Sequence, residues 1–139
     1  RNRFDIARCA GMSIFTHICL GTNDLPRARR FYDAALVPLG IRNLGDFGDQ
    51  GIAYGHALAE LLILRPLDGA PASAANGGTV SFKAPGRDAV RAFHRAGLAC
   101  GGSDAGAPGP RGAVEHAFGA YLRDPDGNKI CAYCFGAND

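Results

Sequence analysis

From residue 13 to residue 20 apolar and polar side chains alternate, with Ile14, Thr16, Ile18 and Leu20 on one side and Phe15, His17 and Cys19 on the other. A period of two predicts a strand. From Leu25 the period lengthens: Ala28, Phe31, Tyr32, Ala35 and Leu36 recur at helical spacing and predict an amphipathic helix over 25–36. Asn23 or Asp24 offers the N-cap, Pro26 sits in the first turn, and Pro38 and Gly40 end the helix. Residues 45–51 read as a loop, 51–55 and 59–65 as two strands around a short turn, and 66–78, rich in proline, alanine and glycine, as a linker. The order then returns. Residues 79–84 predict a strand, and 87–98 predict a helix with an apolar stripe of Val90, Phe93 and Leu98. Residues 101–112 read as a glycine- and proline-rich loop. The strands at 118–123 and 129–135 are joined by DPDGN, whose Asp-Gly pair is a strong hairpin signal.

The return is a repeat. Residues 17–36 lie over 79–98 with a constant shift of 62, so that Arg29 meets Arg91, Phe31 meets Phe93, Ala34 meets Ala96 and Leu36 meets Leu98. Four identities carry weight here because both copies read as strand, turn and helix in the same order. Phe31 and Phe93 are expected at equivalent buried positions. The shift also sets Thr79 where the first copy has His17.

Composition narrows the field only modestly. A chain of 139 residues fits one domain whose two halves share a core. With 15 basic and 13 acidic residues nothing asks for nucleic acid, and no apolar run is long enough to span a membrane. No secretion signal is visible near the start. Five scattered cysteines, an odd count, suit reduced thiols in the cytoplasm better than a disulfide framework. The only methionine is Met12, so residues 1–12 are read as an N-terminal extension or an expression artefact. Module 1 then covers about 13–65, the linker 66–78 and module 2 about 79–135.

The stretches FTHICLGTNDLPRARRFYDAALVPLGI and AYLRDPDGNKICAYC, together with the repeat, resemble the vicinal oxygen chelate superfamily. That superfamily includes glyoxalase I, bleomycin- and fosfomycin-resistance proteins and extradiol dioxygenases. The resemblance implies an α+β fold of two βαβββ modules whose curled mixed sheets surround a cavity. It also implies a divalent metal, such as zinc, nickel, manganese or iron, that acts as a Lewis acid on vicinal oxygens of the substrate. The family's ligands come from the first and last strand of each module. At those places this chain has His17, Thr79, Cys131 and, in the first module, one of Glu60, Leu61 or Leu62, with a leucine the more natural register.

Two readings of that set stand side by side. In one, His17, Thr79 and Cys131 line a cavity without a metal, and no cofactor is expected. In the other, His17, Cys131 and Glu60 hold zinc with an open fourth position. Tyr121 and Tyr133 are candidates to line the cavity and stack on a planar ligand. His56 and His94 read as surface or half-buried polar residues, Glu115 and His116 as a solvated loop tip, Cys134 as core, and Cys131 as a small buried thiol rather than a nucleophile. No phosphate-cradling glycine spacing is present.

Three functions follow as expectations. The first is a small-molecule-binding protein with a degraded metal site. The second is a metal-dependent enzyme: a lyase, isomerase or glutathione transferase of the glyoxalase I or fosfomycin-resistance type, or a dioxygenase. The third is a drug-sequestering resistance protein, to which the slightly positive charge of the chain does not point, bleomycin being cationic. The resemblance further implies a homodimer.

Overall fold

The computed structural model describes residues 13–136, so the reading of 1–12 lies outside the described residues. Both halves have the expected order. The first is β1 (Ile18–Gly21), α1 (Leu25–Ala35), a 3-10 turn (Val37–Leu39), β2 (Arg42–Asp46), β3 (Gly51–Gly55) and β4 (Leu61–Leu64). The second is β5 (Val80–Lys83), α2 (Arg87–Ala99), β6 (Ser103–Pro110), β7 (Phe118–Arg123) and β8 (Lys129–Cys134). Each half builds one four-stranded mixed sheet, in the orders β1-β4-β3-β2 and β5-β8-β7-β6. The first strand of each half runs parallel to its last, and the other pairs are antiparallel. This is an α+β fold of two βαβββ modules, and neither sheet closes on itself.

Local chemistry explains the boundaries. Asp24 is the N-cap of α1, its Oδ1 accepting from the Arg27 amide at 3.0 Å. Asn23 instead clips the linker. Its Nδ2 donates to the Ala72 carbonyl, and its Oδ1 accepts from the Ala72 amide at 2.7 Å. Gly40 takes φ 77° after the 3-10 turn, a conformation that costs glycine little. No helix among the described residues is long and apolar enough to cross a membrane.

Each helix covers one face of its own sheet, and the two helices touch. Phe31 and Phe93 are both fully buried in a single core that draws on both halves, as the repeat implies. Where the helices meet the second sheet, a Cβ on Gly97 would stand 2.3 Å from Leu122 Cδ1 and 3.2 Å from Phe31 Cε1. Its counterpart under the shift of 62 is Ala35, also small and buried. Close approach at this point requires small residues on both helices.

Four sequence expectations are corrected. The first strand begins at Ile18 rather than at 13, because pairing with β4 starts at Leu61 and the residues before it are exposed. A strand over Arg42–Asp46 was not expected: all five of its residues are exposed, so it carries no alternation of apolar side chains. Ser103–Pro110, read as loop, is an edge strand on β7. It has two register shifts and prolines that only an edge tolerates. Leu98 is 42% exposed, and the inward position beside it belongs to Gly97.

The DPDGN turn does more than reverse the chain. Asp124, 4% exposed, accepts from the Tyr32 hydroxyl at 2.6 Å, from Asn128 Nδ2 at 2.9 Å, and from the amides of Asp126 and Asn128. Asp126 accepts from the Thr22 hydroxyl, the Asn23 amide and Arg27, while Asn128 Nδ2 also donates to the Gly21 carbonyl. Every one of these partners in residues 21–32 belongs to the first half. The turn of the second module is therefore a latch on the first.

Candidate functional site

The strand period assigns each side chain of the second sheet to one face. On β8, Ile130, Ala132 and Cys134 point into the core, and Lys129, Cys131 and Tyr133 point the other way. On β5, Val80 and Phe82 pack inward, while Ser81, with Thr79 just before the strand, joins the outward set. That outward face floors a cavity of about 500 Å³, walled by Ala113, Val114, Ala117 and Phe135 and flanked by Arg111. Cavities of this size hold small organic ligands.

Thr79, Tyr121, Cys131 and Tyr133 are thus brought together. His17 and Glu60 are not among the residues lining this cavity. His17 lies one residue before β1, exposed, with its Nδ1 3.0 Å from Thr16 Oγ1. Glu60 lines a second cavity of about 380 Å³ at the start of β4, with His56, Tyr54 and Lys83. His17 and Thr79 each lie one residue before the first strand of their own half, so they belong to different sheets.

The ladders also settle which first-module residue matches Cys131. Ile18 pairs with Leu61 and Val80 with Ile130, so Cys19 faces Leu62 as Ser81 faces Cys131. Leu62 is the counterpart of Cys131, and Glu60 is the counterpart of Lys129. The positions that the resemblance assigns to metal ligands are therefore His17, Leu62, Thr79 and Cys131. Among the described residues no three His, Cys, Asp or Glu side chains cluster to hold a metal ion.

The floor is a linked set of hydroxyls, rings and a thiol. Tyr121 pairs across the ladder with Cys131, and Tyr133 pairs with Gly119. A Cβ on Gly119 would stand 2.7 Å from Tyr133 Cζ, so only glycine leaves room for that ring. The two phenols meet at 2.5 Å, their rings edge-on. Tyr133 also stacks on Phe135, ring centroids 5.8 Å apart and planes 17° apart.

The hydrogen bond to Tyr133 is the main cause that pushes the Tyr121 phenol up to about 12, burial adding to it. The phenol therefore stays protonated at neutral pH. Burial likewise pushes the Cys131 thiol up, against the Ser81 hydrogen bond and the charges of Lys129 and Arg111. A protonated, buried thiol is a poor nucleophile.

Arg111 Cζ and Lys129 Nζ lie 5.4 and 5.1 Å from the centroid of the Tyr121 ring, within cation–π range. Sequence reasoning named neither. Lys129 and Ser81 were within its reach, since they lie two residues from Cys131 and Thr79 on the same faces. Arg111 carried no signal, because the strand that leads to it has no apolar alternation.

The other candidates fall elsewhere. His94 is buried on α2, with its Nε2 2.9 Å from Asp104 Oδ1 on β6. The ring of His56 sits 2.9 Å from the Gly40 carbonyl. Glu115 and His116 are exposed, and Cys134 is in the core.

No family model matches the sequence, and no curated protein matches it. Solved structures do. A lactoylglutathione lyase from Agrobacterium tumefaciens is 18% identical over 88% of this chain and 94% of its own, with TM-score 0.62. A glyoxalase-related enzyme from Fulvimarina pelagi is 19% identical over 91% and 95%, with TM-score 0.69. At those identities the likeness shows the fold alone. A glyoxalase/bleomycin resistance protein from Albidiferax ferrireducens is 42% identical over 87% of this chain and 98% of its own, with TM-score 0.79. With that identity spanning both modules, on the same paired βαβββ fold, the chain belongs to the glyoxalase/bleomycin resistance protein family.

Proposed function

We propose that this protein binds a small organic molecule in the cavity over its second sheet and does so without the divalent metal on which many of its relatives depend. The donor set carries the reading. Leu62, in the place that matches Cys131, offers no lone pair, and Thr79 offers only a weakly donating hydroxyl. His17 and Cys131 are then the two competent donors of four, and an imidazole with one thiol leaves zinc or nickel under-coordinated. These residues do not fit the family's metal. The alternative set of His17, Cys131 and Glu60 needs Glu60 in the place that the ladder gives to Leu62. The cytoplasm is the proposed compartment, supported by Cys19, Cys100 and Cys131, which form no disulfide among the described residues.

Metal analysis after dialysis of the purified chain against zinc and then nickel tests this. The expected content is well below one ion per chain, and a thermal-shift screen for ligands should give the same hits with and without a chelator. Near-stoichiometric metal that is lost on both His17→Ala and Cys131→Ser would overturn the reading in favour of a metal-dependent enzyme.

We further propose that the chain acts as a homodimer. Each sheet leaves two edge strands, β1 and β2 in the first and β5 and β6 in the second, and pairing is one way to cover such edges. Exposed apolar side chains at Phe15 and Phe47, on or beside the first sheet, add to the case. Sedimentation is expected to show a dimer at roughly tens of micromolar, where a standard-sized interface forms. Monomer alone at that concentration rejects it.

A further inference from the structure

We infer that the ligand of this cavity is an aromatic anion, an aryl carboxylate or a compound of that charge and shape. The inference rests on the binding reading above and deepens it. The eleven lining residues include two cations, Arg111 and Lys129, and no carboxylate. Such a lining favours negative charge.

Arg111 is held ready for that role. Its Nη1 donates to the carbonyls of Gly109 and Pro110 and its Nη2 to that of Ala107, at 2.8 to 3.2 Å. Three of its five N–H groups are thereby used, which fixes the plane of the guanidinium and leaves two donors for a ligand. A donor oriented in advance loses little freedom when it binds. Lys129 supplies the second charge, its Nζ 5.1 Å from the centroid of the same Tyr121 ring.

The remaining surface favours a flat apolar body. The stacked pair Tyr133 and Phe135, with Val114 and Ala117, presents ring faces and methyl groups rather than hydrogen-bonding groups. One of the Tyr121 and Tyr133 hydroxyls donates to the other, which leaves one phenol proton, along with Thr79 and Ser81, to add a hydrogen bond. The result is one anion-accepting side and one aromatic side within about 500 Å³.

Three probes of one shape separate the possibilities: 2-naphthoate, 2-naphthamide and 2-naphthylmethylammonium, titrated calorimetrically into the full chain at matched ionic strength. Naphthoate is expected to bind about tenfold tighter than the amide, with the ammonium weakest, since charge-assisted hydrogen bonds outweigh neutral ones. The preference should shrink as salt is raised. Lys129→Gln and Arg111→Gln should each reduce it several-fold. Lys129→Gln is the safer variant, because Arg111 also ties down the end of β6, and circular dichroism checks that both fold. If the amide or the ammonium binds as well as naphthoate, or if both folded variants keep the full preference, the anion inference fails and the binding reading stands. If none of the three binds at millimolar concentration, nor shifts the Tyr121 and Tyr133 resonances, the binding reading fails and takes this inference with it.

Discussion

Asp124→Ala is expected to cost about 3 to 5 kcal/mol of folding stability, a loss of roughly 10 to 20 °C in Tm for a chain of this size. The side chain is buried and accepts four hydrogen bonds, from a phenol, a side-chain amide and two backbone amides. Truncation takes the acceptor from all four, and the Tyr32 hydroxyl, fully buried, cannot turn to water, while Asn128 Nδ2 keeps only the Gly21 carbonyl. Burial, reinforced by the charge of Asp124, also pushes the Tyr32 phenol well above its ordinary value, so it stays a donor throughout the working pH range.

Two comparisons isolate the cause. Tyr32→Phe removes one donor and should cost about 1 to 2 kcal/mol. Arg27→Gln breaks the ion pair with Asp126, but Arg27 is 47% exposed and the loss should stay under about 1 kcal/mol. Urea denaturation of the three variants measures the order. An Asp124→Ala chain within about 1 kcal/mol of the parent would show that the latch between modules contributes little.

The same turn marks where sequence reading stops. DPDGN is legible as a hairpin because the Asp-Gly pair meets a local conformational demand. Its second role depends on Thr22, Asn23, Arg27 and Tyr32, about a hundred residues away, and no local pattern encodes that. The helices and the strands Gly51–Gly55, Leu61–Leu64 and Lys129–Cys134 were legible because burial on at least one face puts apolar residues at a fixed period. Arg42–Asp46 and Ser103–Pro110 were not, since they are edges held by backbone bonds and bury few side chains. The repeat placed Thr79 opposite His17, and alternation placed Cys131 and Tyr133 on one face with Tyr121 across from Cys131. What the spacing left open was the register of the first module. Seven residues are added between the copies by the last strand: the shift is 62 at Ile18 and Val80 but 69 at Leu61 and Ile130. Only the ladder resolves Leu62 from Glu60, and with that choice the case for a metal turns.

Gly119→Ala is expected to disable the cavity while leaving the fold in place. The backbone at Gly119 can accept alanine, so the effect must come from space. The new methyl would sit 2.7 to 2.9 Å from three atoms of the Tyr133 ring, well inside van der Waals contact. The ring has little freedom to retreat, being stacked on Phe135 and bonded through its hydroxyl to Tyr121. Overpacking of this kind costs about 1 to 3 kcal/mol, and the relief is to swing the ring across the cavity floor.

A spectroscopic signature follows. The Tyr121 phenol sits at about 12 chiefly because Tyr133 hydrogen-bonds to it. A bond that favours the protonated form raises the value, so breaking it lets Tyr121 titrate closer to an ordinary tyrosine, near pH 10. Ultraviolet titration should show one more tyrosine ionising between about pH 10 and 11 in the variant than in the parent, together with loss of naphthoate binding. Adding Tyr133→Ala should give a double variant more stable than the sum of the single losses, because the clash has no second partner. If Gly119→Ala leaves stability within about 0.5 kcal/mol and the tyrosine titration unchanged, the ring is not held against that strand. The aromatic wall assigned to the cavity would then have to be sought elsewhere.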